Sequence, residues 1–340
     1  MIIRSKAPLR IGLAGGGTDV SPYSDIYGGA ILNATLSLYA YATIKPREDR
    51  KIIIKAIDRN ETIEFNSEPE LPIDGTLDLA KGVYNRIVKE FCHEPLSFEI
   101  STYVDAPPGS GLGSSSTLVV AILGAFVEWL KLPLGEYDIA HLAYSIERED
   151  LKMAGGKQDQ YAATFGGVNY MEFYANDKVI VNPLRIKPKF LHELEHNLVL
   201  FYTQTSRLSS KIIQEQTQNV QANKASSIEA MHQLKEQSIL MKEAVLKGNI
   251  NDIGKILHDG WMHKKQMAAG ISNASIDAIY ETALQAGATG GKISGAGGGG
   301  FMIFYAPYIH KYPLIKKLSE LGGNVMHYTL TNEGLTTWIV

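Results

Sequence analysis

The sequence predicts an α+β architecture in two units, on three observations. Several strand-like segments precede the first long helical one, which is not the strict alternation of a doubly wound sheet. The second half is dominated by helical segments and closes on short strands. The length, 340 residues, corresponds to about two domains at roughly 150 residues each.

The elements follow in chain order. Residues 2–13 read as a strand, with Pro8 marking an edge or bulge because proline has no N–H for a ladder. Residues 30–44 are rich in β-branched and aromatic side chains and form a long strand. Residues 51–57 and 62–65 form a hairpin pair, 78–91 a helix, and 96–104 another strand. Residues 117–132 and 134–152 are helices, and 167–173 and 178–181 two short strands. The polar stretch 182–195, with Pro183 and Pro188, marks a boundary, giving units 1–187 and 188–340. The second unit opens with a strand at 198–202. Helices at 209–220, 226–246, 250–268 and 275–286 follow, then a strand–glycine loop–strand over 292–304, a helix at 308–321 and two terminal strands. The Gln-rich stretch 214–221 reads as a solvated helix face.

Composition excludes several classes. Hydrophobic residues are 45% and charged residues 20%, with a net charge of −3, ordinary for a globular chain and no footprint for a nucleic-acid partner. Cys92 is the one cysteine, so neither an internal disulfide nor a cysteine-based zinc site can form. No apolar run reaches the ~20 residues of a membrane helix; the longest, 119–132, is interrupted by Gly124, Glu128 and Lys131. Without a signal-peptide core near Met1, the expectation is a cytoplasmic protein with no membrane partner.

Glycine carries the most information. Its 32 residues cluster at Gly15–Gly17, at Gly109, Gly111 and Gly113, and at seven of the eleven positions from 290 to 300. Such clusters bring backbone close to a ligand or to other backbone. Pro107-Pro108-Gly109-Ser110-Gly111-Leu112-Gly113-Ser114-Ser115-Ser116 lies between a strand and a long helix. Glycines there expose backbone N–H groups, and a helix N-terminus adds its own free donors, which suits phosphate. One serine hydroxyl can also ligate a metal. No Lys-Ser/Thr follows, so this is not a Walker A loop. The run Gly295-Ala296-Gly297-Gly298-Gly299-Gly300 formally contains G-x-G-x-x-G, but a strand rather than a helix follows it, against a dinucleotide fold.

Two further segments carry polar side chains beside glycine turns. In Arg10-Ile-Gly-Leu-Ala-Gly15-Gly16-Gly17-Thr18-Asp19, Thr18 and Asp19 are candidates for sugar hydroxyls, turn capping being the plain alternative. In Gly155-Gly156-Lys157-Gln158-Asp159-Gln160, a carboxylate in a tight turn suits a general base or a Mg²⁺ ligand. His192-Glu193-Leu194-Glu195-His196 matches H-E-x-x-H, the zinc-peptidase pattern. It falls in the proposed linker with room for barely one helical turn, so a solvated connector is expected instead.

The three glycine segments, in this order, resemble the motifs of the GHMP kinases over essentially the whole chain. The resemblance implies an N-terminal ribosomal-protein-S5-like ATP-binding domain and a C-terminal ferredoxin-like domain. It further implies ATP and Mg²⁺ as cofactors, a small-molecule sugar phosphate as partner substrate, and leaves a homodimer open. The Pro108–Ser116 segment (Pro108, Gly109, Ser110, Gly111, Leu112, Gly113, Ser114, Ser115, Ser116) resembles the motif around the ATP phosphates. Asp159 resembles the base or orienting carboxylate, Arg10 its basic partner, Ser115 and Glu147 the Mg²⁺ ligands, with Glu149 the alternative to Glu147. Gly16-Gly17 depart from the galactokinase pattern and resemble the fucokinase and heptose-phosphate kinase branch, as do residues 27–41, 202–211 and 261–273. A heptose 7-phosphate substrate, phosphorylated on its anomeric hydroxyl, is what that branch implies; another sugar 1-kinase or a non-catalytic relative are the alternatives. The substrate contacts then implied are Gly16, Gly17, Thr18, Asp19, Gly297 and Gly298, with Arg207 and Lys264 for a second phosphate.

Overall fold

Two sheets, joined through a shared apolar layer, organise the computed structural model, which describes residues 1–205 and 209–340. The chain begins with β1 (Ile3–Ala14), a short helix α1 (Tyr23–Tyr27) and the 18-residue β2 (Gly29–Pro46). The hairpin β3 (Lys51–Ala56) and β4 (Glu61–Asn66), helix α2 (Asp78–Ile87) and β5 (Phe98–Val104) come next. Then follow α3 (Ser114–Leu130), α4 (Glu136–Ser145), α5 (Gln158–Phe165), β6 (Val168–Phe173) and β7 (Val179–Pro183). Helix α6 (Pro188–Asn197) leads to β8 (Leu198–Tyr202) and the helices α7 (Ser209–Gln221), α8 (Ala225–Lys247), α9 (Ile253–Lys264) and α10 (Ala274–Gln285). The hairpin β9 (Gly290–Ile293) and β10 (Phe301–Tyr305), helix α11 (Lys311–Ser319), β11 (Asn324–Met326) and β12 (Thr336–Ile339) complete it.

The large sheet runs β12-β1-β2-β5-β3-β4, with β6 and β7 attached through β2. β2 is long enough to pair β5 through Ala40–Pro46 and β6 through Gly29–Ala34. Only β3 and β5 are parallel. The β1–β2 register shifts between Pro8 and Arg10, as expected where proline leaves the ladder. Freed from it, the Arg10 N–H donates to the Leu112 carbonyl at 3.1 Å. A bulge of this kind re-aims the next side chain; here that chain is Arg10. The small sheet, β11-β8-β10-β9, is antiparallel and has the strand order of a ferredoxin-like unit.

One core lies between the large sheet and α2–α4, built from Ile52, Ile54, Tyr84, Phe98, Val119 and Phe126. Each such side chain contributes about 1.5–3 kcal/mol by leaving water. A second core joins the sheets: Leu9, Ile11 and Leu32 meet Leu200, Phe301 and Ile303, with Met241 of α8. The loops at the end of this shared layer therefore face one another across a cleft.

Several expectations are corrected. The segment 188–197 is a regular ten-residue helix rather than a connector, started by Pro188 in its first turn. Residues 158–165, unassigned from sequence, form α5. β7 belongs to the large sheet and β8 to the small one. β12, however, returns to pair β1 from Ile3 to Lys6, so the C-terminal residues sit on the first sheet. A division at 187/188 remains our proposal for the chain between those two sheets. Among the described residues no helix is long and apolar enough to cross a membrane.

Candidate active site

A cleft of about 510 Å³ opens where the glycine segments converge. Arg10, which lines it, is 3% exposed. Its Nη2 lies 2.6 Å from Asp159 Oδ1, Nε donates to the same oxygen at 2.7 Å, and Nη1 donates to the Gly111 carbonyl at 2.7 Å. Asp159 sits in the first turn of α5, where the helix N-terminus favours a carboxylate.

Two glycine loops pack on each other as much as they line the cleft. The Phe301 N–H donates to the Ser110 carbonyl at 2.8 Å, and Ser294 Oγ to the Gly111 carbonyl at 2.9 Å. Gly111 has φ 84°, and a Cβ there would run into the Ser294 carbonyl oxygen. Of the Pro108–Ser116 segment, Gly109, Gly111, Gly113, Ser114, Ser115 and Ser116 line the cleft. Pro108 is exposed outside it and Leu112 lies in the core. Ser110 is fully buried, its Oγ without a partner.

Glu147 also lines the cleft. It projects from a π-helical turn, Ile146–Asp150, that extends α4; such turns often mark functional positions. Its side chain is 1% exposed. Gln160 donates to its carboxylate and also to Ser116 Oγ at 3.1 Å. Burial pushes the Glu147 carboxyl above the usual range, against the pull of Arg148. Glu149 is turned away, 58% exposed and 3.9 Å from Arg86. Burial raises Asp19 in the same way; its Oδ2 accepts the Gln158 N–H at 3.0 Å, and it too faces the cleft.

Other candidates divide. Gly17 and Lys264 line the cleft, and Lys264 Nζ donates to the Gly295 carbonyl at 2.6 Å. Thr18 does not reach it: the residue is fully buried, its hydroxyl 2.8 Å from the Gly15 carbonyl and accepting the Ala30 N–H at 3.1 Å. It caps a turn, and the substrate contact expected of it is corrected. Gly297 and Gly298 pack on Ile271, the Gly298 N–H donating to its carbonyl at 2.8 Å; Gly295 and Ala296 take the lining positions expected of them. Gly16 lies between Lys264 and Lys292. Arg207 falls outside the described residues. Sequence reasoning missed Lys292, 6% exposed, although it is the first residue of the KISGAGGGG segment. It also missed Gln158 and Gln160, which flank Asp159. The Gln-rich stretch is not simply solvated: Gln216 is 3% exposed and, with Gln214, lines the cleft.

His192 and His196 share one face of α6 and border a separate cavity with Glu193, Glu195, Lys311 and His327. Among the described residues no group of three His, Cys, Asp or Glu side chains could hold a metal ion. A zinc-peptidase centre is therefore unsupported even with the helix present.

The chain belongs to the GHMP kinases. The GHMP kinases N terminal domain matches residues 78–167 and the GHMP kinases C terminal domain residues 241–322. The chain is 51% identical to a D-glycero-alpha-D-manno-heptose 7-phosphate kinase of Campylobacter jejuni, covering 99% of this chain and 98% of that one. A structure described as a D-glycero-D-manno-heptose 1-phosphate kinase from Bacteroides thetaiotaomicron superposes with TM-score 0.86 at 48% identity, covering 99% of each chain. Lactococcus lactis galactokinase complexed with galactose shares the fold at 19% identity and TM-score 0.78, over 98% of this chain and 95% of that one. The protein is an ATP-dependent sugar kinase, a phosphotransferase with an alcohol group as acceptor.

Proposed function

We propose that the protein transfers the ATP γ-phosphoryl group to the anomeric hydroxyl of D-glycero-D-manno-heptose 7-phosphate, giving the 1,7-bisphosphate used in nucleotide-activated heptose synthesis. The observation that carries this reading is the 51% full-length identity to a kinase named for that sugar phosphate. The ion pair of buried Arg10 with half-buried Asp159 in the cleft supports it.

In this reading Asp159 accepts a hydrogen bond from the attacking hydroxyl and orients it, then takes its proton. Arg10 holds that carboxylate by two N–H groups and offers positive charge to the transferring phosphoryl group. The Gly109–Ser116 loop supplies N–H groups to the nucleotide phosphates. Asp19 takes sugar hydroxyls, and Lys264, with Arg207, the acceptor's own phosphate.

Mg²⁺ fits the residues present. A fully buried carboxylate, Glu147, and the hydroxyl of Ser115 face one cleft beside the phosphate loop. An all-oxygen set with few protein ligands is what Mg²⁺ takes when phosphates complete its shell. Ser115 and Glu147 would hold the ion, and it would neutralise charge on the nucleotide phosphates.

An ADP-release assay over heptose 7-phosphate, mannose, L-fucose and galactose tests the assignment, with phosphorus NMR locating the new ester. Turnover of heptose 7-phosphate at least about 100-fold better in kcat/KM than the free sugars is expected, since a lost buried charge contact costs several kcal/mol. Preference for L-fucose, or phosphate on a hydroxyl other than the anomeric one, overturns it.

A further inference from the structure

Three cationic side chains from different elements meet at the junction of the two sheets: Arg10 of β1, Lys264 at the end of α9 and Lys292 of β9. They are 3%, 3% and 6% exposed. Arg10 is neutralised by Asp159. Lys264 has only the Gly295 carbonyl, and Lys292 makes no ion pair and no side-chain hydrogen bond among the described residues. Both ammonium groups face the same stretch of backbone. They lie 3.6 and 3.9 Å from the point a Cβ on Gly16 would occupy. Lys292 also lies 3.9 Å from the corresponding point on Gly12, next to Gln158 Oε1 at 3.8 Å, an atom that is itself buried without a partner.

Burying two ammonium groups side by side is unfavourable unless an anion joins them. The charged groups around the pair are Arg10 on β1, Asp19 after β1 and Asp159 on α5. Asp159 is engaged by Arg10, and Asp19 already accepts the Gln158 N–H. Burial, then the neighbouring cation Arg10, holds Lys264 down to about 8, while Asp19 opposes the shift. Burial, then Lys264 and Arg10, holds Lys292 well below the ordinary lysine range. Each ammonium group therefore holds its proton less firmly than an ordinary lysine, and an arriving dianion opposes that shift.

We propose that Lys264 and Lys292 form one subsite for a dianionic phosphate group against the Gly16 backbone, and that filling it draws a proton from solvent into the pair. This deepens the sugar-phosphate reading and rests on it for the choice of substrate. It adds Lys292 and the proton. The same chemistry is met by the acceptor's own phosphate or by the transferring phosphoryl group of the nucleotide.

Isothermal titration calorimetry at pH 8 tests it, because a phosphate monoester with a second pKa of about 6 is then fully dianionic. Inorganic phosphate, heptose 7-phosphate and a non-hydrolysable ATP analogue are titrated in two buffers of different ionisation enthalpy, which reports protons exchanged. Wild type is expected to take up about half a proton or more with at least one probe. Lys292→Met should reduce that uptake and weaken the same probe about tenfold or more. Gly16→Ala should weaken it too, since the methyl has room in the fold but occupies the anion's place; melting curves check that both variants are folded. Loss confined to heptose 7-phosphate identifies the acceptor's phosphate, and loss confined to the analogue the nucleotide's. Proton-free binding of all three probes, or folded variants that bind all of them within about twofold of wild type, overturns the subsite. If heptose 7-phosphate is neither bound nor turned over, the substrate reading fails. Phosphate binding with proton uptake that Lys292→Met lowers would leave the subsite standing.

Discussion

Arg10 grips Asp159 through two of its nitrogens, Nη2 at 2.6 Å and Nε at 2.7 Å from the same carboxylate oxygen. The remaining nitrogen, Nη1, ties the pair to the Gly111 carbonyl. One side chain of the first sheet therefore holds both Asp159 and the Gly109–Ser116 loop. A lysine at position 10 could not make this fork. Asp159→Asn is expected to lower kcat by about 10²–10⁴-fold, the usual worth of a positioned acid–base group. KM for ATP should change by no more than about threefold. Steady-state kinetics decide, and a kcat near wild type would remove Asp159 from the chemistry.

Glu147 couples stability to function through its burial. A carboxyl whose pKa is raised in the folded state stabilises the fold fully below the unfolded carboxylate pKa of about 4.3. That contribution is lost as pH rises through the raised value. The ligand-free protein is therefore without this contribution once the pH has passed the raised value, and Glu147→Gln, which has no proton to lose, should be the more stable there. The expected gain is about 1 kcal/mol, a rise in Tm of about 2 °C, shrinking toward pH 4. MgATP should raise the Tm of wild type and not of the variant. Thermal melts at pH 4, 5.5 and 7 check both, and a variant less stable than wild type at pH 7 would contradict the electrostatic argument.

The contact between the two glycine loops predicts unequal costs at two left-handed glycines. Gly111→Ala meets both a positive φ and the Ser294 carbonyl, and should cost about 3 kcal/mol or more while raising KM for ATP. Gly322, with φ 82° and nothing within 4 Å of its Cβ position, should cost only about 1 kcal/mol as alanine. Chemical denaturation of the two variants gives the comparison. Equal losses would mean the loops do not bear on each other.

The parts of this fold that were legible from sequence are those whose signals are local. β3 is rich in β-branched residues, and its burial alternates, Ile52 and Ile54 buried between half-buried neighbours. The glycine clusters marked the cleft because their spacing is itself the signal. What was not legible depends on distant partners. The Gln158–Phe165 segment is short and begins with polar residues, and it becomes a helix where Gln160 meets Ser116 and Glu147. Gln216 reads as solvated until the cleft closes over it. Thr336–Ile339 carries no hint that it pairs β1 rather than its sequence neighbours. Lys292 opens the third glycine segment in the sequence, and only the fold sets it beside Lys264.

Gln160 offers the test of whether the helix missed from sequence matters to the site. It is fully buried, and its amide nitrogen bridges Ser116 Oγ and the Glu147 carboxylate. It touches no cleft surface, so it acts through Glu147 as a positioning residue. Gln160→Leu keeps the bulk and removes both hydrogen bonds, leaving the carboxylate free to turn. Such supporting contacts are worth about 10–100-fold in metal affinity. The Mg²⁺ concentration for half-maximal activity should rise by at least about tenfold, with kcat at saturating Mg²⁺ falling less than about fivefold. Gln160→Glu should behave worse than leucine at neutral pH, because it sets a second carboxyl against a buried one. A merely structural role would instead lower Tm in Gln160→Leu and leave the Mg²⁺ requirement unchanged, and that result would separate α5 from the proposed Mg²⁺ ligands.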